Sequence, residues 1–298
     1  MPSPPLRLPE KFLISFVPER WGEVDRFINF YSTTHNLDKR TSNCVNGIAS
    51  HFRKANVLLA LANRIRPGLA QDNEQVESEG FSAASNAREL APVIEAILFE
   101  IYASIDCTAT VLSALYGRLQ GIPSKSTRRL FTNAVAGKVD SRFPKAVLDA
   151  LVQAAPSVAT LRELRDTVSH SDTGFCHLDS QTGAVVYMNP AMGPGDRAHV
   201  IEDVFAEITR YALLVNQMHG VIFRYLNTQL ADAERTLLCG FYLGRAYTRL
   251  VRVSEATSFA AGRCQAYIWF EKEENPRCPL AEECGAYSRA SSEAVHLP

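Results

Sequence analysis

The chain has 298 residues, of which 46% are hydrophobic and 21% are charged, and its formal net charge is -1. This length suffices for one large domain or two modest ones, and the composition excludes collagen-like, low-complexity and disordered chains. The near-zero charge excludes a wholly basic nucleic-acid binder and stays compatible with a local basic patch.

The N-terminal part is predicted to be helical. Apolar residues recur at spacings of three and four between Trp21 and Tyr31, and a second helix is expected over residues 43–66. Residues 67–86 are polar and contain several Gly, Ser and Asn residues. This composition favours a linker between domains, and a long surface loop within one domain is the alternative.

A long helix is expected from Ala87 to about residue 120, and apolar residues surround much of it. Such a helix belongs in the centre of a bundle. Two short helices are expected over residues 126–136 and 144–154. Ser157 is a candidate N-cap for a further helix that runs to His170.

A β-hairpin is predicted around Gln181-Thr182-Gly183, because the residues on both sides alternate and place Val185 and Tyr187 on one face. A long helix is then expected from Arg197, after Asp196, to about Leu230. Residues 231–298 are ambiguous between helix and strand.

These elements predict a mainly α fold, a helical bundle with one small β-hairpin insertion. We expect three segments: an N-terminal helical segment over 1–70, a helical bundle over 84–230, and a C-terminal segment of unknown fold over 231–298.

The segment Arg165-Asp166-Thr167-Val168-Ser169-His170 closes the helix after Ser157, and Gly174 follows it. Arginine offers a bidentate fork for phosphate, and histidine exchanges protons near neutral pH. RNA carries its own nucleophile, the 2′-hydroxyl, so a site with these groups can cleave it without a metal. The alternative is an exposed arginine and a histidine beside the last carbonyl groups of a helix.

This segment and its helical context resemble the HEPN family (higher eukaryotes and prokaryotes nucleotide-binding) over roughly residues 87–230. The resemblance implies a helical bundle and, for many members, a metal-independent ribonuclease of toxin–antitoxin, phage-defence or RNA-processing systems. It implies that Arg165, Asp166 and His170 match the family's Arg-polar-x-x-x-His signature. It also implies a homodimer in which two copies of the signature meet.

Two positions depart from the family pattern. Asp166 stands where the family often has Asn, and Asp172 stands where some members carry a Tyr that accepts a nucleotide from a partner protein. On an ideal helix Arg165 and His170 lie about 140° apart, whereas Asp166 and His170 share a face. We therefore expect a helix that ends or distorts near Ser169, or an arginine whose long stem reaches round.

Residues 118–145 form a basic segment in which Asp140 is the one acidic residue. Its basic residues are Arg118, Lys125, Arg128, Arg129, Lys138, Arg142 and Lys145. This asymmetry is typical of a surface that follows the phosphates of RNA, and a solvated helical face is the alternative.

Three acidic residues, Glu95, Glu100 and Asp106, stand on the long apolar helix. Acids there are rarely buried without a partner. Glu100 and Ser104 share a face that could line a cleft, and a salt bridge from Glu100 to an arginine is the more ordinary expectation.

The seven cysteines are dispersed and odd in number, which predicts reduced thiols in a cytoplasmic protein. Cys264, Cys278 and Cys284, with Cys239 or His296, are weak candidates for zinc, because their spacing matches no common zinc pattern. No metal or cofactor is predicted, since the chain has no Gly-rich phosphate loop, HExxH or GxSxG. No apolar run is long enough to predict a transmembrane helix, and the first residues do not resemble a secretory signal.

The sequence thus favours a cytoplasmic RNA endonuclease that acts as a homodimer, with RNA as substrate, an antitoxin or sensor protein as a possible partner, and no membrane. His170 is the expected general acid or base, Arg165 the phosphate clamp, and Asp166 and Ser169 the supporting groups. The first alternative is a catalytically silent helical module that binds RNA, a nucleotide or a protein. The second is a helical regulatory protein in which the motif is accidental.

Overall fold

The computed structural model describes residues 22–170, 173–190, 198–242, 245–255 and 261–294. Within these ranges, the side chains of a few residues lie outside the description, namely those of Ser169, His170, Tyr242, Glu293 and Ala294. Contacts divide the chain into a central unit, Leu37–Ile222, and a terminal unit, Met1–Asn36 with Phe223–Pro298. The chain is mainly α. None of the helices in the described ranges is long and apolar enough to cross a bilayer.

Two long helices, α2 (Lys39–Ile65) and α4 (Ser85–Tyr116), pack along each other in the central unit. Helix α2 begins after Asp38, whose carboxylate accepts a hydrogen bond from the backbone N–H of Thr41 at 2.7 Å. Apolar residues are buried around most of α4, as its sequence predicts, so this helix forms the core of the unit.

The predicted linker over residues 67–86 is in large part a helix. After a 3-10 turn at Arg66–Gly68, helix α3 spans Leu69–Glu79. Its Asp72 is buried and accepts hydrogen bonds from the Asn86 side chain and the Ala87 N–H, both at 2.9 Å. The polar composition predicted a linker, whereas the buried Asp72 carboxylate joins α3 to the start of α4 and stabilises the helix.

Helix α5 (Thr127–Val135) confirms the first short helix, whereas α6 (Lys145–His170) replaces the two helices predicted around Pro156-Ser157. Proline removes one helical N–H but does not end this helix. Ser157 is no N-cap, because it lies inside α6, where its hydroxyl accepts a hydrogen bond from Nη1 of Arg210 at 3.1 Å.

The predicted hairpin is confirmed as β1 (Phe175–Leu178) and β2 (Val185–Asn189), which pair antiparallel with Cys176 opposite Tyr187. A third strand, β3 (His199–Ile201), pairs with β2. The expected helix start at Arg197 lies outside the described residues, and helix α7 spans Val204–Asn227. It begins later than predicted, because the side chain of Asp203 accepts hydrogen bonds from the first helical N–H groups.

The terminal unit contains helix α1 (Gly22–Phe30), which confirms the first predicted helix. Its sheet has three antiparallel strands in the order β4 (Glu234–Tyr242), β5 (Arg245–Arg252) and β6 (Arg263–Cys264). Two helices follow, α8 (Tyr267–Phe270) and α9 (Gly285–Ala294).

The prediction of a single small hairpin is not exact, because the described residues of each unit include a three-stranded sheet. The second sheet arises from alternation along β5, where Tyr247, Arg249 and Val251 are buried and their neighbours are more exposed. Phe30 of the first part of the chain packs against Val251 and Val253 of the last part, so the two ends of the chain share a core.

A buried carboxylate on α4 anchors the first sheet of the central unit. Glu95 is 6% exposed, and its Oε1 accepts hydrogen bonds from the Gly174 N–H and the Tyr187 hydroxyl, both at 2.7 Å. Gly174 leaves no room for a side chain, because an added Cβ would lie 2.5 Å from Cζ of Tyr187. Gly174, just before β1, is thereby fixed against α4.

Replacing Gly174 with alanine should destabilise the protein by about 2 kcal/mol, because the new methyl group overpacks the Tyr187 ring and disturbs a buried hydrogen bond. The matched control is Gly220→Ala in α7, where an added Cβ meets nothing within 4 Å. This control should be neutral or stabilise by up to about 1 kcal/mol. Urea unfolding measures both, and equal free energies of unfolding for the two variants would contradict the anchoring role of Gly174.

Candidate phosphate-binding site

Arg165 is held by three side chains between α4 and α6. Its guanidinium carbon lies 4.7 Å from the centre of the Tyr102 ring, a cation–π contact. Its Nη2 lies 3.8 Å from Oδ2 of Asp106, and its Nη1 lies 3.3 Å from Oδ1 of Asp166. The guanidinium is thus oriented before any ligand arrives.

Arg165 lines a cavity of about 410 Å³, which we call the cationic cavity. Its basic residues are Arg40, Lys125, Arg128, Arg162 and Arg165. Asp106 and Asp166 are its acidic residues, and Thr110, Ser113, Ser124, Ser126 and Thr127 contribute hydroxyl groups. Five cations face two carboxylates, so the cavity carries a surplus of positive charge.

Three of these cations are available to a ligand, because Arg40, Lys125 and Arg128 form no ion pair within the described part of the chain. Lys125 and Arg128 stand at the start of α5, which is capped by the Ser126 hydroxyl through the N–H of Arg129 at 3.2 Å. Because the N-terminal end of a helix is its positive end, α5 adds to the field in the cavity.

The environment of Asp106 disfavours the ionised form of its carboxyl group. Burial raises the pKa of its carboxyl group, and the Thr127 side chain and Arg165 oppose that rise. Burial raises the pKa of the Tyr102 hydroxyl, and the negative charge of Asp106 adds to the rise. Negative charge is thus disfavoured at Asp106 despite the nearby guanidinium.

His170 and Ser169 stand at the end of α6, and their side chains lie outside the described residues. Helix α6 continues through His170, so the expected end or distortion near Ser169 does not occur. Arg165 and position 170 are therefore on different sides of the helix, separated by about 140°.

The structure brings two of the seven residues of the basic segment into the cationic cavity, Lys125 and Arg128. Arg142 instead binds Asp140 with two nitrogens, at 3.0 and 2.7 Å. Lys145 pairs with Asp149 at 2.9 Å. Three further members, Arg118, Arg129 and Lys138, are exposed on the surface.

The sequence reasoning did not assign Arg40, Tyr102 or Arg162 to the site. Arg162 carried a usable signal, because it lies three positions before Arg165 and four before Asp166 on one helix. Arg40 and Tyr102 come from α2 and α4, and no local pattern reveals which helices meet.

Glu100 and two further histidines, His51 and His219, lie outside the cationic cavity. Glu100 pairs with Nδ1 of His51 at 2.5 Å and with Lys54 at 3.8 Å, not with an arginine as expected. His219 is fully buried beside Phe52, and burial lowers its pKa to about 3. A histidine that is neutral across the physiological range is no candidate for acid–base exchange with a ligand.

Four cysteines gather in the terminal unit, where Cys239, Cys264, Cys278 and Cys284 pack around Tyr247, Phe270 and Tyr287. Burial raises the pKa of Cys239 to about 12 and also raises those of Cys264 and Cys278. Within the described ranges, no group of three or more His, Cys, Asp or Glu side chains is placed to hold a metal ion. His296 lies outside those ranges.

Comparison with protein families, with curated proteins and with solved structures finds no match to this chain. The functional argument is therefore built on the residues of the cationic cavity.

Asp106→Asn should gain stability relative to the wild type as the pH rises above about 4. Burial raises the folded-state pKa of Asp106 above its unfolded value, so ionisation at higher pH weakens the wild-type fold. Asparagine removes this titration. Urea unfolding across the range from about pH 4 to about pH 7 measures the difference.

For the control variant, Asp179→Asn, the expected change of stability with pH has the opposite sign. Hydrogen bonds from Gln181 and Thr182 lower the pKa of Asp179, so its ionised form supports the fold above its unfolded pKa. Asp179→Asn should therefore lose stability relative to the wild type as the pH rises. The same slope for both variants would contradict the burial of charge at Asp106.

Proposed function

We propose that the protein is a metal-independent RNA endonuclease, in which Arg165 binds the scissile phosphate and His170 transfers protons. The observation that carries the proposal is the position of Arg165 inside a cavity lined by five cations. The resemblance of residues 165–170 to the HEPN signature supports the same function. The proposal includes a cytoplasmic role for this ribonuclease in a toxin–antitoxin system or in phage defence.

The cationic cavity fits a phosphodiester in size and charge. Its volume of about 410 Å³ is within the usual range for small-ligand sites. Arg165 and Arg162 offer planar forks of N–H donors, while Lys125 and Arg128 add positive charge at the other wall. During attack by the 2′-hydroxyl, negative charge grows on the phosphate oxygens, and these cations would stabilise it.

The proton transfers require a histidine that the cavity itself does not contain among its described residues. Position 170 lies about 140° from Arg165 on a continuous helix, which separates the two groups within one chain. A two-fold symmetric homodimer would bring position 170 of a second copy to the phosphate held by Arg165. This composite site also supplies two histidines, one for each proton transfer.

A second candidate function is a silent module that binds RNA or a nucleotide without cleaving it. The specific observation in its favour is that Asp106, Asp166 and Tyr102 already engage Arg165. A guanidinium held in this way serves binding as well as catalysis. Both candidates use the cationic cavity, and cleavage of RNA separates them.

His170→Ala should reduce the cleavage rate of a labelled single-stranded RNA by about 100-fold or more, because it removes the proton-transfer group. Arg165→Ala should weaken RNA binding by about tenfold or more, because it removes a charge-assisted contact to phosphate. Cleavage by the wild type should survive a chelator and leave 2′,3′-cyclic phosphate ends. His177→Ala, at an exposed position of β1, is the matched control and should keep full activity.

Cleavage by His170→Ala at the wild-type rate would contradict the role of His170, and products with 5′-phosphate ends would contradict attack by the 2′-hydroxyl. RNA binding without any cleavage by the wild type would favour the silent module.

Arg128→Ala should reduce the slope of log affinity for single-stranded RNA against log salt by about 0.7, the value for one lost phosphate contact. Arg129→Ala is a matched control from the next position of α5, because Arg129 is exposed and does not line the cavity. Filter binding at several salt concentrations measures both slopes. Equal slopes for the two variants would place RNA outside the cationic cavity.

A further inference from the structure

An apolar groove adjoins the cationic cavity. It encloses about 520 Å³ beside α5 and α6, and three residues line both spaces: Tyr102, Arg128 and Arg162. The two spaces therefore share a wall, and a ligand that crosses this wall meets cations on one side and hydrocarbon on the other.

The groove has a buried floor and an exposed rim. Phe131 and Val158 are 6% and 4% exposed and form part of the floor. Val135 and Val152 are 60% and 41% exposed, which is unusual for large apolar side chains that lie close together. The rim thus presents apolar surface that a ligand could remove from water.

The shared arginines indicate the shape of the ligand. A guanidinium is planar and binds phosphate through its edge, while its face stacks on a flat ring. Arg128 forms no ion pair within the described residues, so both modes are open to it. A molecule that joins a phosphate to a planar, weakly polar ring would match both spaces at once.

We infer that the two spaces form one bipartite nucleotide site, with the phosphate in the cationic cavity and the nucleobase in the apolar groove. This inference rests on the proposed function and extends it: the protein recognises an unpaired nucleotide whose base is free to leave the stack. A base within a duplex is covered on both faces and could not enter the groove. The expected substrate class is therefore single-stranded RNA or an unpaired loop.

The test compares three small probes by isothermal titration calorimetry: adenosine 5′-monophosphate, ribose 5-phosphate and adenosine. The wild type should bind the nucleotide at least about tenfold more tightly than ribose 5-phosphate, which lacks the base, and more tightly than adenosine, which lacks the phosphate. The heat-capacity change should also be more negative for the nucleotide than for ribose 5-phosphate, because apolar surface is buried.

The variant Val152→Gln fills and polarises the groove without changing its charge. It should abolish the advantage of the nucleotide over ribose 5-phosphate and leave the affinity for ribose 5-phosphate unchanged. Val57→Gln is the matched control, because Val57 is 69% exposed on α2 and does not line the groove. Val135→Gln is a second groove variant with the same expected result, and thermal unfolding checks that each variant folds.

Equal affinities of the wild type for the nucleotide and ribose 5-phosphate would overturn the base subsite and leave the phosphate site and RNA cleavage intact. A change of molar mass in light scattering for Val152→Gln, without an effect on nucleotide binding, would assign the groove to a second copy of the chain and also overturn the inference. Loss of RNA cleavage in the assay of the proposed function, with nucleotide binding as expected, would contradict the enzyme and not the nucleotide site.

Discussion

The buried carboxylate of Glu95 fixes Gly174 and the first sheet of the central unit against α4. Its Oε1 accepts hydrogen bonds from the N–H of Gly174 and the hydroxyl of Tyr187. A second attachment lies before the helix end, where Arg165 contacts Tyr102 and Asp106. Both contacts involve polar groups, whose directional geometry restricts how the neighbouring elements lie on α4.

One face of α4 carries this whole arrangement. Glu95, Tyr102 and Asp106 are separated by seven and four positions, which places them within about 40° of one another on the helix. The acidic residues on this apolar helix are recognisable in the sequence as unusual. Their partners could not be predicted, because Gly174 and Arg165 lie about 60 to 80 residues further along the chain.

The parts of the fold that local chemistry determines could be predicted from the sequence. The hairpin follows from alternation around Gly183, which adopts a positive φ of 69° in the turn, and the central helix follows from its continuous apolar surface. The helix over Leu69–Glu79 could not be predicted, because it is stabilised by the contact of Asp72 with Asn86 and Ala87 rather than by its own composition.

The same distinction holds for the site. Arg165 and Asp166 were recognisable from their spacing to His170, and Lys125 and Arg128 from the basic segment. The sequence held a signal that separates Lys125 and Arg128 from Arg142 and Lys145, because only the last two have a carboxylate two or four positions away. Arg142 forms an ion pair with Asp140, and Lys145 forms one with Asp149, so their charges are neutralised locally.

In the proposed site, the binding of a phosphate would be coupled to the charge of Asp106. Burial already raises the pKa of this carboxyl group, and Arg165 compensates in part. A phosphate that enters would bring further negative charge close to Asp106 and draw the guanidinium of Arg165 toward itself. Both effects disfavour the ionised carboxylate, so phosphate binding and proton uptake by Asp106 favour each other. Asp106 and Asp166 contact Arg165 in this structure, so a phosphate bound in the proposed site would compete with both carboxylates for the guanidinium.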